Sequence, residues 1–205
     1  MQYIDLTHTF TPAMPVFPGD PAAELDEVST VAKDGILHYE VKTGMHVGTH
    51  MDAPAHMLEG GKFLDQYPPV KFFGRGVVLD AQGKSAADVN LLDQQQIQKG
   101  DIVLVCFGWS SEFQNEQYYL NYPEIKEGLA RKLAELEVSI VGMDTPSPDR
   151  APYVTHKILF EKDILIIENL NNLEALLKFK SFEIAALPAK FKAEAAPCRV
   201  VARIN

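Results

Sequence analysis

His46-Val47-Gly48-Thr49-His50-Met51-Asp52-Ala53-Pro54-Ala55-His56 gathers three of the chain's six histidines and one carboxylate into eleven residues. The path of its backbone decides how the rest of the chain must be arranged around it. A helix would put His46 and His50 on one face but turn Asp52 roughly 200° away from His50. Gly48 and Pro54 would also weaken or break that helix. A strand would put all four polar side chains on one face, yet at ~3.3 Å per residue His46 and His50 would lie about 13 Å apart. Only His50 and Asp52 reach a common point from extended backbone. The spacing therefore predicts a run that enters as a strand, bends near Gly48 and continues as a loop. Imidazole and carboxylate are the side chains that zinc, manganese or iron take as ligands. Neither a core nor a solvated surface gives a reason to gather them so tightly, so the run reads as a metal site. His8 and His38, single histidines beside apolar runs, read as satisfied core residues.

A second pair lies more than a hundred residues away. Asp163-Ile164-Leu165-Ile166-Ile167-Glu168-Asn169-Leu170 has the pattern of a buried strand ending in a carboxylate. An ionised carboxylate is costly there unless it is paired or bound to a metal. Twelve residues upstream, His156 opens a short helix after Asp149-Arg150-Ala151-Pro152-Tyr153. Together with the first cluster, His156 and Glu168 supply ligands for a second ion.

Around these residues, short apolar or alternating runs at 2–6, 36–43, 76–81, 101–107, 138–143, 163–167, 182–187 and 199–204 read as strands. Helical periodicity is seen at 90–98, at 123–136 behind an N-terminal proline, at 154–161, and in a short piece after Asn172. Strands and helices out of strict alternation indicate an α/β chain of the mixed α+β kind, built on a mixed central sheet rather than a doubly wound one. No glycine-rich nucleotide loop is present.

The length suits one large domain over 1–205. The formal charge of −9, with no Lys/Arg cluster, argues against nucleic acid or an anionic membrane as partner. No basic region followed by an apolar one opens the chain, and no apolar run approaches the ~20 residues that span a bilayer. Cys106 and Cys198 lie far apart in apolar runs and read as buried free thiols of a reducing cytoplasm, the expected location.

The chain resembles the metal-dependent cyclase/hydrolase family, whose members include bacterial kynurenine formamidases and isatin hydrolases. The family motif H-x-G-(T or A)-H-x-D-x-x-x-H is matched without a gap from His46 to His56. The likeness continues through Asp5-Leu6-Thr7, Phe17-Pro18-Gly19-Asp20, Gly108-Trp109, the 144–149 loop and His156…Glu168-Asn169-Leu170. The resemblance implies a swivelling β/β/α fold with a barrel-like core, usually as a homodimer or larger homo-oligomer. It implies that His46 and His50 hold one zinc, that Asp52 and Glu168 bridge two ions, and that His156 holds the second. It makes His56 the proton donor and acceptor, and Phe17 an aromatic against the substrate's ring. Manganese suits the same ligands.

Trp109, with Phe107 and Phe17, is expected to wall the substrate, although a core position also accounts for Phe107. Coordination to a divalent metal lowers the pKa of water from 15.7 toward about 7, and a histidine suits proton transfer at neutral pH. Ser110 and Ser147 lack a nucleophile-elbow context. The reaction expected is hydrolysis of a small aryl formamide such as N-formylkynurenine. Opening of a cyclic amide or lactone, a lyase or dehydratase reaction, and a metal that only staples the fold stay open as alternatives.

Overall fold

The computed structural model describes residues 1–12 and 14–204. In chain order its strands and helices are β1 (Gln2–Asp5), β2 (Glu24–Ser29), α1 (Val31–Asp34), β3 (His38–Lys42), β4 (His50–Asp52), β5 (Phe73–Asp80), β6 (Ala86–Ala87), β7 (Ile102–Cys106), β8 (Glu124–Ile125), α2 (Glu127–Glu135), β9 (Ile140–Met143), α3 (Val154–Phe160), β10 (Leu165–Glu168), β11 (Phe182–Pro188) and β12 (Ala195–Ile204). Side chains of β7 alternate between two cores, as the period of a strand requires. Ile102, Leu104 and Cys106 enter one core, while Val103 and Val105 enter the other.

The first core fills a barrel. Among the described residues, eight strands pair in the order β1-β12-β11-β5-β7-β9-β10-β4, and β4 also pairs with β12. That last pairing closes seven strands on themselves, leaving β1 as an extra strand along β12. β5, β7, β9 and β10 run parallel, and the others are antiparallel to their neighbours. Met51, Leu104, Leu165, Ile167, Phe182 and Val200 are among the interior side chains. The second core lies outside the parallel strands, where Leu129 and Leu133 of α2 and Leu159 and Phe160 of α3 cover Val103, Val141 and Ile166. Burying each leucine or phenylalanine there contributes about 1.5–3 kcal/mol. The mixed sheet with a barrel-like core is the architecture anticipated from the sequence. No helix among the described residues is long and apolar enough to cross a membrane.

Some elements differ from expectation. The 90–98 segment makes only a 3₁₀ turn, Val89–Leu92, behind an Asp88 cap, because its exposed Asp93-Gln94-Gln95 stretch has no surface to pack on. The 123–136 segment becomes helical only at Glu127, since Glu124 and Ile125 pair with Ala86 and Ala87. β2, with few apolar residues, carried no strand signal and is held by pairing with β3. His38, expected in the core, is exposed on β3. His8 is half-buried and stacked on Phe113, with centroids 3.8 Å apart, but its Nε2 lacks a hydrogen-bond partner. Cys106 and Cys198 are buried free thiols.

The loops at the carboxyl ends of the parallel strands are tied by Asp144. Its buried carboxylate accepts from the backbone N–H of Phe107 and of Trp109, each at 2.9 Å, across Gly108, which has a φ of +71°. Burial pushes this carboxyl up to about 6, although those N–H groups pull the other way. Asp144→Asn offers one acceptor oxygen to two backbone donors, one buried and one partly buried. It is expected to cost about 1–3 kcal/mol, read as a lower urea midpoint with an unchanged slope.

Candidate metal centre

The register of β4 builds the site. His50 stands directly opposite Glu168 of β10, and Asp52 opposite Ile166. Directly paired residues share one face of a sheet. Met51 points into the barrel, so His50, Asp52 and Glu168 emerge on the outer face, where α3 packs and brings His156 over them. The run was expected to enter as a strand and leave as a loop; the order is reversed. Residues 45–49 turn at Gly48, β4 follows, and a 3₁₀ turn, Pro54–His56, presents His56. The strand comes second because it is β10 and β12, on either side of His50–Asp52, that supply its ladder.

Gly48 has a φ of +66°, a region costly for other residues, and an added Cβ would lie 2.8 Å from Met14 Sδ. The bend turns the Gly48 carbonyl back to accept from His50 Nδ1 at 2.8 Å and from Asn169 Nδ2 at 3.0 Å. His50 therefore aims Nε2 at the cluster. His46 Nδ1 lies 3.2 Å from His50 Nε2 and 3.1 Å from Asp52 Oδ1. His50 Nε2 lies 3.4 Å from Asp52 Oδ1 and 3.3 Å from Glu168 Oε2. His156 Nε2 faces Glu168 Oε1 at 3.4 Å.

These residues fit metal ions. His46, Asp52 and His56 form one set of possible donors and His50, Asp52 and Glu168 another, the donor atoms of each lying within 4.8 Å of one another. Asp52 belongs to both. It is 1% exposed, yet among the described residues neither of its oxygens has a hydrogen-bond partner. A buried carboxylate left so is costly unless a cation takes it up. His156 lies outside both sets and reaches them through Glu168. His56, expected only as a proton carrier, stands where it could also donate to a metal.

Charge within the cluster is balanced locally. Burial would lower the His46 imidazole, but its contact with Asp52 and the charges of Glu168 and Glu194 raise it to about 9. Burial likewise opposes His156, which Asp149 and Glu168 raise to about 9. Asp52 is held far below the usual carboxylate range, against burial, by the charges of His50 and His46. His56 goes the other way: burial lowers it, with His46 adding to the effect and Asp52 opposing it.

A cavity of about 520 Å³ opens over His46, His56, His156 and Glu168. Phe17 lines it, edge-on to Tyr119 at 5.7 Å, together with Tyr122 and Tyr153. Trp109 does not. Its indole N–H donates to the Tyr118 carbonyl at 3.1 Å, and it lines a separate cavity beside Phe107 and Gly108. The Asp144 clamp on its backbone fixes that direction, and Phe107 is core. Ser147 lines the metal-facing cavity but donates its hydroxyl to the Asp149 carbonyl. The sequence reading missed the tyrosines, whose only signal was the dense Tyr118-Tyr119…Tyr122 group.

Residues 4–150 match the family model described as "Putative cyclase". The kynurenine formamidase of Erythrobacter litoralis is 28% identical over 204 residues, covering 97% of this chain and 92% of the relative. A solved structure described as a potential metal-dependent hydrolase with cyclase activity is 28% identical, with a TM-score of 0.82 over 100% of this chain and 98% of that one. Isatin hydrolase A from Ralstonia solanacearum has the same fold, with a TM-score of 0.87 at 23% identity over 100% of this chain and 92% of that one. The chain belongs to the cyclase family. It is a hydrolase of that family, and the comparisons and the donor sets together support a metal cofactor.

Proposed function

We propose that this hydrolase cleaves a small aryl formamide, N-formylkynurenine being the leading substrate. The observation that carries this reading is the aromatic cavity with imidazoles and a carboxylate at its base. His46, His50, Asp52, Glu168 and His156 are the ligands, for two zinc or manganese ions. The metal, when bound, supplies an activated water and polarises the carbonyl oxygen. The chain's own side chains do the rest. Phe17 and Tyr119 hold the ring and exclude water from one side of it. His56, whose imidazole is held by burial below its ordinary pKa, accepts the proton of the attacking water and returns it to the leaving nitrogen, releasing formate and the aryl amine.

Exposed Asp20 and Lys157 also line the cavity, one acid and one base. They favour a substrate carrying an amino-acid group, whose ammonium and carboxylate they complement. Lys157 now donates to the Pro152 carbonyl at 3.0 Å and is free to exchange that partner. Lys157→Met is expected to raise KM for N-formylkynurenine about fivefold, the worth of roughly 1 kcal/mol from an exposed ion pair. KM for formanilide, which lacks the amino-acid group, should stay as it is; an equal rise for both would remove this role.

The deciding assay presents N-formylkynurenine, isatin and a simple aryl ester side by side to the zinc-loaded protein. Turnover of the formamide well above the others supports the proposal. Inactivity on it alone leaves the hydrolase class and removes the substrate. We propose a cytoplasmic location, which the two buried free thiols support. We also propose a homodimer or larger homo-oligomer. The β2–β3 hairpin supports this by presenting Ile36, Leu37, Tyr39 and Val41 to solvent, Ile36 at 62% exposure. Light scattering after size exclusion tests it, and a monomer at working concentration would remove it.

A further inference from the structure

His50 and His156 each use one ring nitrogen within the cluster and one outside it, and the outer partners differ. Behind His50 stands the neutral Gly48 carbonyl, 2.8 Å from Nδ1. Behind His156 stands a carboxylate, with Asp149 Oδ1 at 2.6 Å from Nδ1. Asp149 is 6% exposed and locked on every side. Its Oδ2 accepts from the Thr155 N–H at 2.6 Å, and its carbonyl accepts from the Tyr122 hydroxyl at 3.1 Å and the Ser147 hydroxyl at 2.8 Å. Asp149 closes the 144–149 loop seven residues before His156, and Ile125 N–H reaches the Pro148 carbonyl at 2.7 Å to hold that loop from below.

We infer that Asp149 is a positioning residue for the metal centre, fixing the ring of His156 so that its Nε2 faces the cluster. A carboxylate that takes Nδ1–H leaves the lone pair on Nε2, which faces Glu168. It also feeds charge into the ring, which a carbonyl does less well; outer partners of this kind typically carry 10–100-fold in metal affinity. The two halves of the centre are therefore unequal: the half held by His156 is backed by an anion and the half held by His50 by a peptide dipole. The inference rests on the reading of His156 as a ligand.

The test is a zinc competition with a chromophoric chelator on the metal-free full chain and on Asp149→Asn, His156→Gln and the double variant. Asparagine keeps the shape of the side chain but brings one acceptor to two donors, Thr155 N–H and His156 Nδ1–H. Asp149→Asn is expected to weaken zinc binding about 10–100-fold. The double variant should bind no more weakly than His156→Gln, because Asp149 acts only through that ring. A merely structural role would lower the melting temperature while the zinc equilibrium stayed put. Wild-type affinity in Asp149→Asn beside a weakened His156→Gln overturns the positioning role alone, as do losses that multiply in the double variant. Unchanged binding in His156→Gln overturns the ligand reading of His156, and the inference with it.

Discussion

Asp52→Asn is expected to lose at least about a thousandfold in kcat/KM while the barrel stays folded. Asp52 is the one side chain common to both donor sets, and among the described residues its close neighbours are the imidazoles of His46 and His50. An amide in its place takes the anion from both sets at once, so zinc content should fall across the centre rather than at one position. Loss of the several kcal/mol that a metal contributes to transition-state stabilisation corresponds to about 10³ in rate or more. The fold should survive because β4 keeps its backbone ladder to β10 and β12, although His46 and His50 lose the anion beside them and the melting temperature falls somewhat. Metal analysis, kcat/KM and a thermal melt on the same preparation check all three statements. Retention of a tenth of the activity would remove Asp52 from the centre.

His56→Ala should have the opposite signature: zinc content and melting temperature near wild type, with turnover down about 10²–10⁴-fold, the range for loss of a general acid–base group. His56 sits on a 3₁₀ turn outside the strand ladder, so the fold does not depend on it. Its geometry makes the experiment sharp. Because His56 shares a donor set with His46 and Asp52, a variant that loses zinc in step with activity would make it a third ligand instead of the proton carrier.

Where local pattern and packing agree, the sequence was a sound guide. Ile102–Cys106 and residues 165–167 are continuous apolar runs because both faces of these parallel strands are buried, and their positions were readable. The common reach of His50 and Asp52 followed from strand parity alone. What escaped was set by tertiary contacts. The strand of the metal-binding run lies after the bend because two neighbours recruit His50–Asp52, and no residue within the run announces them. Closure through three residues of β12 likewise leaves no mark in periodicity. Trp109 looked like a wall for the substrate because it follows a strand end. Its direction is set by Asp144, thirty-five residues away. Asp149 could have been singled out as a carboxylate shortly before the candidate ligand His156, but its aim at Nδ1 depends on the fold of the 144–149 loop.

The barrel has a seam. Two of its seven strand junctions, to β10 and to β12, rest on β4, which is only three residues long, and two of those three are possible metal donors. On the proposed ligand set, backbone breathing at these junctions is coupled to occupancy of the centre. Ions held as proposed by His50, Asp52 and Glu168 would cross-link β4 to β10 and so latch the cylinder. In the metal-free chain the amides of 50–52 should exchange with deuterium ahead of those in β7 and β9, and zinc should slow them selectively. Chemistry and mechanical closure then share the same few side chains, so a substitution that frees the site of metal also lets the wall of the barrel open.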